Sequence, residues 1–443
     1  MPIGGAPGPW GPTVGGRTRF RLLQRVLSLL GMVSIVGAAA AATTAYMLYR
    51  EFEDSRQVVA VEQLDTPTAT SSARHFLLVG SDGRDGLSSE DRRNLTLGNF
   101  DGQRADTMMY VSISADREDV SLVSLPRDLL VIDEGRQRKL TDVYQGGADA
   151  LVKVIQDNFG LPINHFVEIS LGGFVEVVDT LDGVELCLEE DLVDPDAGAD
   201  LEAGCLRRTP EEALAFVRSR KLSARGDFAR MDRQQHFLRQ VLSELSDQAS
   251  VTNPARLFAL VDDLSEHITT DRGLSAQQIY GLVGDMRSVI DDDLPMVTVP
   301  SYAQLINGGD YNLLYRPGAT AMFESLRAGE PLPDRGTPEE REGTRIALAV
   351  NGHPNGAATI ERTLFWGGFT ERATWQAPEG LGETDRTTIY LARPGKATQA
   401  GWVAALLGAE VRDLPADVEP PSGTDVVVVT GADADPNGWS ASP

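Results

Sequence analysis

Hydrophobic and polar positions alternate along the chain in a way that predicts interleaved strands and helices. Val26 to Tyr49 is a run of 24 residues without a charge, long enough to cross a bilayer core as a helix. Beyond it, His75–Gly80 (HFLLVG) reads as a buried strand, and Asp106–Ala115 (DTMMYVSISA) and Val120–Leu125 (VSLVSL) read as two more, joined by a short DRED turn. Leu151–Phe159 has helical spacing, Phe166–Ile169 is a short strand, and Phe174–Leu181 is a helix that Gly183 stops before the strand Val184–Leu188. Thr209-Pro210-Glu211-Glu212 is a helix start, with Thr as N-cap, Pro at the first helical position and Glu at the third. Asp227 opens another helix, whose apolar stripe is Phe237, Leu238, Val241, Leu242 and Leu245. Helical patterns continue through 254–290, and Pro295–Pro300 suggests one more strand. Mixed elements of this kind build an α/β layer fold.

A polar stretch rich in Pro and Gly, residues 328–343, reads as a linker. After it, strands are expected at Arg345–Val350, Thr387–Ala392 and Val426–Thr430, with helices near Ala357–Leu364 and Thr398–Leu407. The expected organisation is a cytoplasmic tail (1–25), a transmembrane helix (26–49), a stalk (50–73), a main domain (74–327), the linker (328–343), a small C-terminal α/β domain (344–433) and a disordered tail (434–443).

Charge orients this plan. Residues 1–49 hold Arg17, Arg19, Arg21 and Arg25 and no acid, so 36 basic against 65 acidic residues leave −29 on the remainder. The positive-inside bias puts the N-terminus in the cytoplasm and the rest outside, in a single-pass plasma-membrane protein. A cleaved signal peptide is the alternative, with Ala38–Ala42 supplying small residues at the cut. The acidity argues against nucleic acid as a partner, because phosphate contacts need the opposite sign. Cys187 and Cys205 are the only cysteines and flank an acidic loop; outside the membrane they are expected to form a disulfide closing it.

Against that acidic background, clustered arginines are informative. The first strand runs into Asp82 and Arg84, the second begins after Arg104 and at Asp106, and the third ends at Arg127-Asp128. The second and third strands form a hairpin, and an antiparallel first strand would bring all six residues to one sheet edge. Later, Arg218 and Arg220 share a face if the chain is extended, and Asp227, Arg230 and Gln234 share one side of a helix. Arg forks match phosphate oxygens bidentately, and carboxylates hold Mg²⁺ together with substrate phosphates. The combination suits a diphosphate-bearing substrate. Surface ion pairing is the competing explanation for any single residue.

The segments LLVGSDGR (77–84), RADTMM (104–109), SLVSLPRDL (121–129), VVDTLDGVELCL (177–188), EALAFVRSRK (212–221) and DFARMDRQQ (227–235) together resemble the LytR-CpsA-Psr family of cell-wall enzymes. VNGHPNGAA, GGF, TTIYLARPG and VVVVTGAD resemble the LytR C-terminal accessory domain. The resemblance implies a central mixed β-sheet flanked by helices. It also implies a phosphotransferase that moves an anionic glycopolymer from a polyprenyl-diphosphate carrier to peptidoglycan, usually at the 6-hydroxyl of N-acetylmuramic acid. By motif match, Asp82 and Asp106 would hold Mg²⁺, with Mn²⁺ as an alternative. Arg104, Arg127, Arg218, Arg220 and Arg230 would grip the diphosphate, helped by Arg84 and Gln234, while Asp227 would orient the arginines and Asp82, Asp106 or Asp128 could serve as general base. The insert LSSEDRRNLTLGNFDGQ, within 87–103, departs from the pattern, and KLTDVYQGG (139–147), with Tyr144, matches loosely. Arabinogalactan is the candidate cargo, with teichoic acid or capsule as rivals. Rival readings are a polyprenyl-diphosphate phosphatase, a non-catalytic polyprenyl-phosphate or wall-binding module, and transcriptional control, which charge and topology disfavour.

Overall fold

A computed structural model describes residues 57–65, 72–83, 104–220, 224–248, 268–275, 278, 294–350, 352–376, 378, 381 and 385–439. The expected cytoplasmic tail, membrane span, Arg84 and the polar insert lie outside the described residues. No helix among those described is long and apolar enough to cross a membrane.

A seven-stranded mixed sheet forms the frame. Its strands are β1 (Gln57–Val59), β2 (Arg74–Ser81), β3 (Ala105–Ile113), β4 (Val120–Ser124), β7 (His165–Ile169), β12 (Ile268–Asp271) and β13 (Met296–Thr298), in the order β1-β12-β7-β2-β3-β4-β13. Between them lie the hairpin β5 (Leu130–Asp133)–β6 (Arg136–Lys139), the ribbons β8 (Val184–Leu188)–β11 (Gly204–Arg208) and β9 (Leu192–Asp194)–β10 (Ala199–Leu201), and helices α1 (Ala148–Phe159), α2 (Leu171–Thr180), α3 (Pro210–Arg218) and α4 (Asp227–Gln248). The β3–β4 turn is closed by Ser114, whose hydroxyl donates to Asp116 (2.6 Å) and accepts from the Asp119 amide (3.0 Å).

Topology decides where chemistry gathers. β2 is antiparallel to β3 and parallel to β7, and β3 is antiparallel to β4. The ends of β2, β4 and β7 therefore meet the start of β3 at one edge. One sheet face buries Leu77, Met108 and Tyr110 against Leu151 and Ile155 of α1. The other buries Phe76, Val111 and Leu122, with Leu238 and Leu242 of α4 packed on them. The N-terminus of α3 carries the expected reciprocal cap between Thr209 and Glu212.

A second, five-stranded sheet has the order β17 (Arg372–Trp375), β16 (Ile346–Ala349), β20 (Val426–Val429), β18 (Thr388–Leu391), β19 (Glu410–Asp413). Strand β20, VVVV, is buried at every position, the signature of a strand covered on both faces. Helices α7 (Pro354–Trp366) and α8 (Ala397–Leu407) contribute to the cluster over Val426 and Val428. Between the sheets lie β14 (Ser301–Ile306), β15 (Gly309–Leu314), α5 (Arg316–Ala328) and α6 (Pro338–Glu342).

Four expectations need correction. Within the helical stretch expected at 254–290, Ile268–Asp271 is a strand: the Asp271 carboxylate accepts the Phe166 amide (3.0 Å) and meets His165 Nδ1 (3.2 Å), which stitches it to β7. Part of the stalk is folded in, with β1 pairing β12 and Val59, Val61 and Leu64 packing on the core. The linker buries Arg335 and Arg341 and caps α6 with Thr337 and Glu340, so its polar residues serve packing. The tail is ordered through Trp439, whose indole donates to Asp433 O (2.8 Å) and meets Tyr315 edge-on. The disulfide Cys187–Cys205 forms across β8 and β11 as expected.

Candidate active site at the sheet edge

The edge assembled by β2, β3 and β4 receives two sets of charged residues. Asp82, just after β2, accepts the Arg104 amide through Oδ1 at 2.6 Å and donates its own amide to Arg104 O at 3.0 Å. Asp106 lies at the start of β3 and accepts from Arg127 Nη1 at 2.7 Å. Arg127 follows β4, and its Nε lies 3.8 Å from both Asp128 and Asp227. Asp128 is also paired with Lys139 (3.0 Å).

The second set arrives from the end of α3 and the start of α4. Arg218 is the last residue of α3, and the extended Ser219 (ψ 143°) carries the chain to Arg220. The Arg220 amide donates to Asp194 (2.9 Å), and its Nε lies 3.7 Å from Asp227 Oδ1. Arg230, one turn into α4, pairs with the same oxygen at 2.9 Å, and its Nη2 lies 3.4 Å from Asp106 O. Asp227 thus ties Arg127, Arg220 and Arg230 together, joining the two sets that the sequence separates by about a hundred residues.

Burial and charge oppose each other here. Burial disfavours an ionised Asp106, yet Arg127, Arg230 and Arg220 outweigh it and hold the carboxyl below its ordinary value. Burial also lowers Arg230, only partly offset by Asp227, to about 10; it stays cationic at neutral pH. Arg218 is lowered by burial as well. In Arg127 the acids Asp106 and Asp227 overcome burial and raise the value. Tyr144 is buried, and desolvation with the adjoining Glu168 keeps its phenol protonated.

These residues open onto a cavity of about 590 Å³. Asp82, Asp106, Arg218, Arg220, Arg230 and Gln234 are among its lining residues. Leu171 and Phe174 of α2, Leu214 of α3 and Phe237 and Leu238 of α4 line the same cavity. Phe174 and Phe237 stack at 4.8 Å. Among the anticipated residues, Arg104, Arg127, Asp128 and Asp227 stand beside the cavity through the contacts above, and Arg84 lies outside the described residues. Sequence reasoning missed Asp194, which lines the cavity and holds the Arg220 amide, and Lys139, which occupies Asp128. The acidic loop closed by the two cysteines was the available signal for Asp194.

Fold and site together define a mixed α/β protein with an arginine-rich, amphiphilic cleft at the edge of its main sheet. The LytR_cpsA_psr family model matches residues 35–328, and the chain belongs to that family. It is 31% identical over 317 residues to "Probable cell wall biosynthesis protein LcpB" of Corynebacterium glutamicum, covering 71% of this chain and 75% of that protein. It is 26% identical to the "Polyisoprenyl-teichoic acid--peptidoglycan teichoic acid transferase TagU" of Bacillus cereus, covering 59% of this chain and 83% of the relative. The fold is similar to that of a LytR-Csp2A-Psr enzyme from Actinomyces oris (TM-score 0.51, 22% identity, 62% of this chain and 96% of that one).

Proposed function

We propose that the protein is a phosphotransferase that moves an anionic glycopolymer from a polyprenyl-diphosphate carrier to the 6-hydroxyl of N-acetylmuramic acid in peptidoglycan. One observation carries this reading: a single cavity is lined both by guanidinium groups and by Leu and Phe side chains. Its complement is an amphiphile with an anionic head and a hydrocarbon tail. The name of the TagU relative supports the donor and acceptor classes.

In the proposed reaction the sugar hydroxyl attacks the phosphorus bearing the glycan. The bond to the carrier's phosphate breaks, polyprenyl phosphate leaves with the electron pair, and the hydroxyl proton passes to a carboxylate on the cavity wall. A loose phosphoryl transition state needs positioning and charge neutralisation more than covalent help. Arg127, Arg218, Arg220 and Arg230 bind the phosphates and stabilise charge gathering on the leaving group. Asp106, kept ionised by its arginines, or Asp82 takes the proton. Asp82 and Asp106 both line the cavity and would hold Mg²⁺ or Mn²⁺ with substrate oxygens completing the shell, although among the described residues no group of three or more His, Cys, Asp or Glu gathers as a metal site. When bound there, the metal would neutralise phosphate charge. The uncharged run 26–49 would anchor the chain, with the folded unit outside and near its lipid-borne donor. Residues 344–433 extend past the region matched by the family model and, on their motifs, form a LytR C-terminal-like accessory domain.

The test mixes the purified protein, Mg²⁺, a polyprenyl-diphosphate-linked glycan and a peptidoglycan oligomer. A phosphodiester-linked product that is lost with Arg127→Ala is expected. Release of free glycan phosphate with no capture by the sugar acceptor would overturn the transferase reading in favour of hydrolysis.

A further inference from the structure

The helix α4 is shared between two surfaces. Asp227, Arg230 and Gln234 face the cavity or its arginines. Phe228, Asp232 and Gln235, spaced i, i+4 and i+7, make another face. That face meets the later part of the chain. Asp232 places one oxygen 2.8 Å from Arg225 Nη2 and the other 3.1 Å from Arg341 Nη2. Arg225 Nη2 also donates to Trp366 O at 3.2 Å, and the Trp366 ring lies 5.1 Å from that of Phe228. Arg225 and Arg341 are buried. Gly368 fits over the pair in a left-handed conformation (φ +100°), where an added Cβ would sit 2.8 Å from Arg341 Nε. On the sheet side, Gln235 donates to Ser124 (2.8 Å) and lies 3.3 Å from Thr298 Oγ1.

Arg225 and Asp232 bracket Asp227 and Arg230 in sequence, so this clamp fixes the first turn and a half of the helix that presents them. We propose that the chain from Arg341 to Gly368 positions that turn, and that Arg225, Asp232, Arg341 and Trp366 are positioning residues for phosphoryl transfer. The inference rests on the proposed function and adds a role to it: the C-terminal part of the molecule acts on the site through the helix rather than through contact with substrate. A small displacement of groups that must straddle a diphosphate is costly even when its origin is remote. Asp232 accepts from two guanidiniums, so removing Arg341 leaves Oδ1 without that donor and unties the later chain from the helix start, which then relaxes.

The experiment uses the full chain in detergent with four variants: Arg341→Leu, Arg341→Lys, Trp366→Leu and, as a site control, Arg230→Ala. Three quantities are read: melting, amide hydrogen exchange across 227–233, and the Kd for geranylgeranyl diphosphate. Arg341→Leu and Trp366→Leu should melt cooperatively, exchange faster in 227–233 and bind the diphosphate about tenfold more weakly. Arg341→Lys should recover part of that loss. Faster exchange or lower melting with an unchanged Kd would reduce the clamp to a structural role and overturn the proposal. If Arg341→Leu fails to fold, Trp366→Leu decides by the same readouts. Should Arg230→Ala alone weaken binding, the site reading survives and the clamp fails. Should neither Arg230→Ala nor the seam variants change Kd, the site reading fails and the clamp falls with it.

Discussion

The two faces of α4 carry the same chemistry to different ends. On the cavity face, one oxygen of Asp227 is shared by three arginines at 2.9, 3.7 and 3.8 Å, and Arg220 is exposed. On the seam face, Asp232 gives each oxygen to one buried arginine at 2.8 and 3.1 Å. Shared, stretched pairs leave guanidinium capacity that an incoming phosphate can take. The shorter pairs of the seam, made by buried arginines, act as fasteners. Count and type of charge are similar on both faces; geometry and access to a cavity separate a binding site from a joint.

That contrast can be broken from either side. Arg230→Ala should lower transfer by about 10²–10³-fold, the loss expected when one preorganised charge is removed from a phosphoryl site, with cooperative melting retained; steady-state kinetics beside a melting curve check this. Asp232→Leu should do the reverse in emphasis, destabilising the fold by about 3–5 kcal/mol because two buried cations lose their anion, as read by chemical denaturation. If the two variants gave the same ratio of activity loss to stability loss, the two faces would not differ as described.

His75 sharpens the point in a third environment. It is buried, stacked on Tyr110 at 5.6 Å, and burial drops its value to about 4 from 6.5, only partly offset by Asp65. The unfolded chain therefore binds more protons between those values, so the stabilising contribution is present above pH 6.5 and is lost as pH falls toward 4. The size is about 3 kcal/mol. Denaturation midpoints measured from pH 7 to 4 should fall, and His75→Phe should flatten part of that slope. A smaller effect, about 2–3 kcal/mol, is expected from opening Cys187–Cys205 with Cys187→Ser/Cys205→Ser. Because the loop it closes carries Asp194, diphosphate affinity should drop modestly in the same variant, measured by titration.

Much of the fold was legible because its signals are local. The buried runs at β2, β3 and β4, the Thr209 cap and the apolar stripe of α4 each follow from periodicity or capping, and the site follows from noticing which strand ends carry Arg and Asp. The seam was not legible. Arg225, Asp232 and Arg341 look like ordinary charged residues on polar helix faces or in a linker, and only the packing of Trp366 against Phe228 gives them a shared interior. Ile268–Asp271 was misread as helical for the same reason: its strand state is held by His165 and Phe166, a hundred residues earlier. Lys139 and Asp194 escaped because each acts by pairing with a residue already counted, which spacing cannot reveal.

In the proposed function, arginines from three separated segments bind one diphosphate head in a cavity that Leu and Phe side chains also line. A crystal structure of the protein with geranylgeranyl diphosphate tests it most directly. Phosphate oxygens are expected within hydrogen-bond distance of Arg127, Arg218, Arg220 and Arg230, with the prenyl chain lying between Phe174 and Leu238. A headgroup bound on another surface, or a prenyl chain outside that cavity, would contradict it.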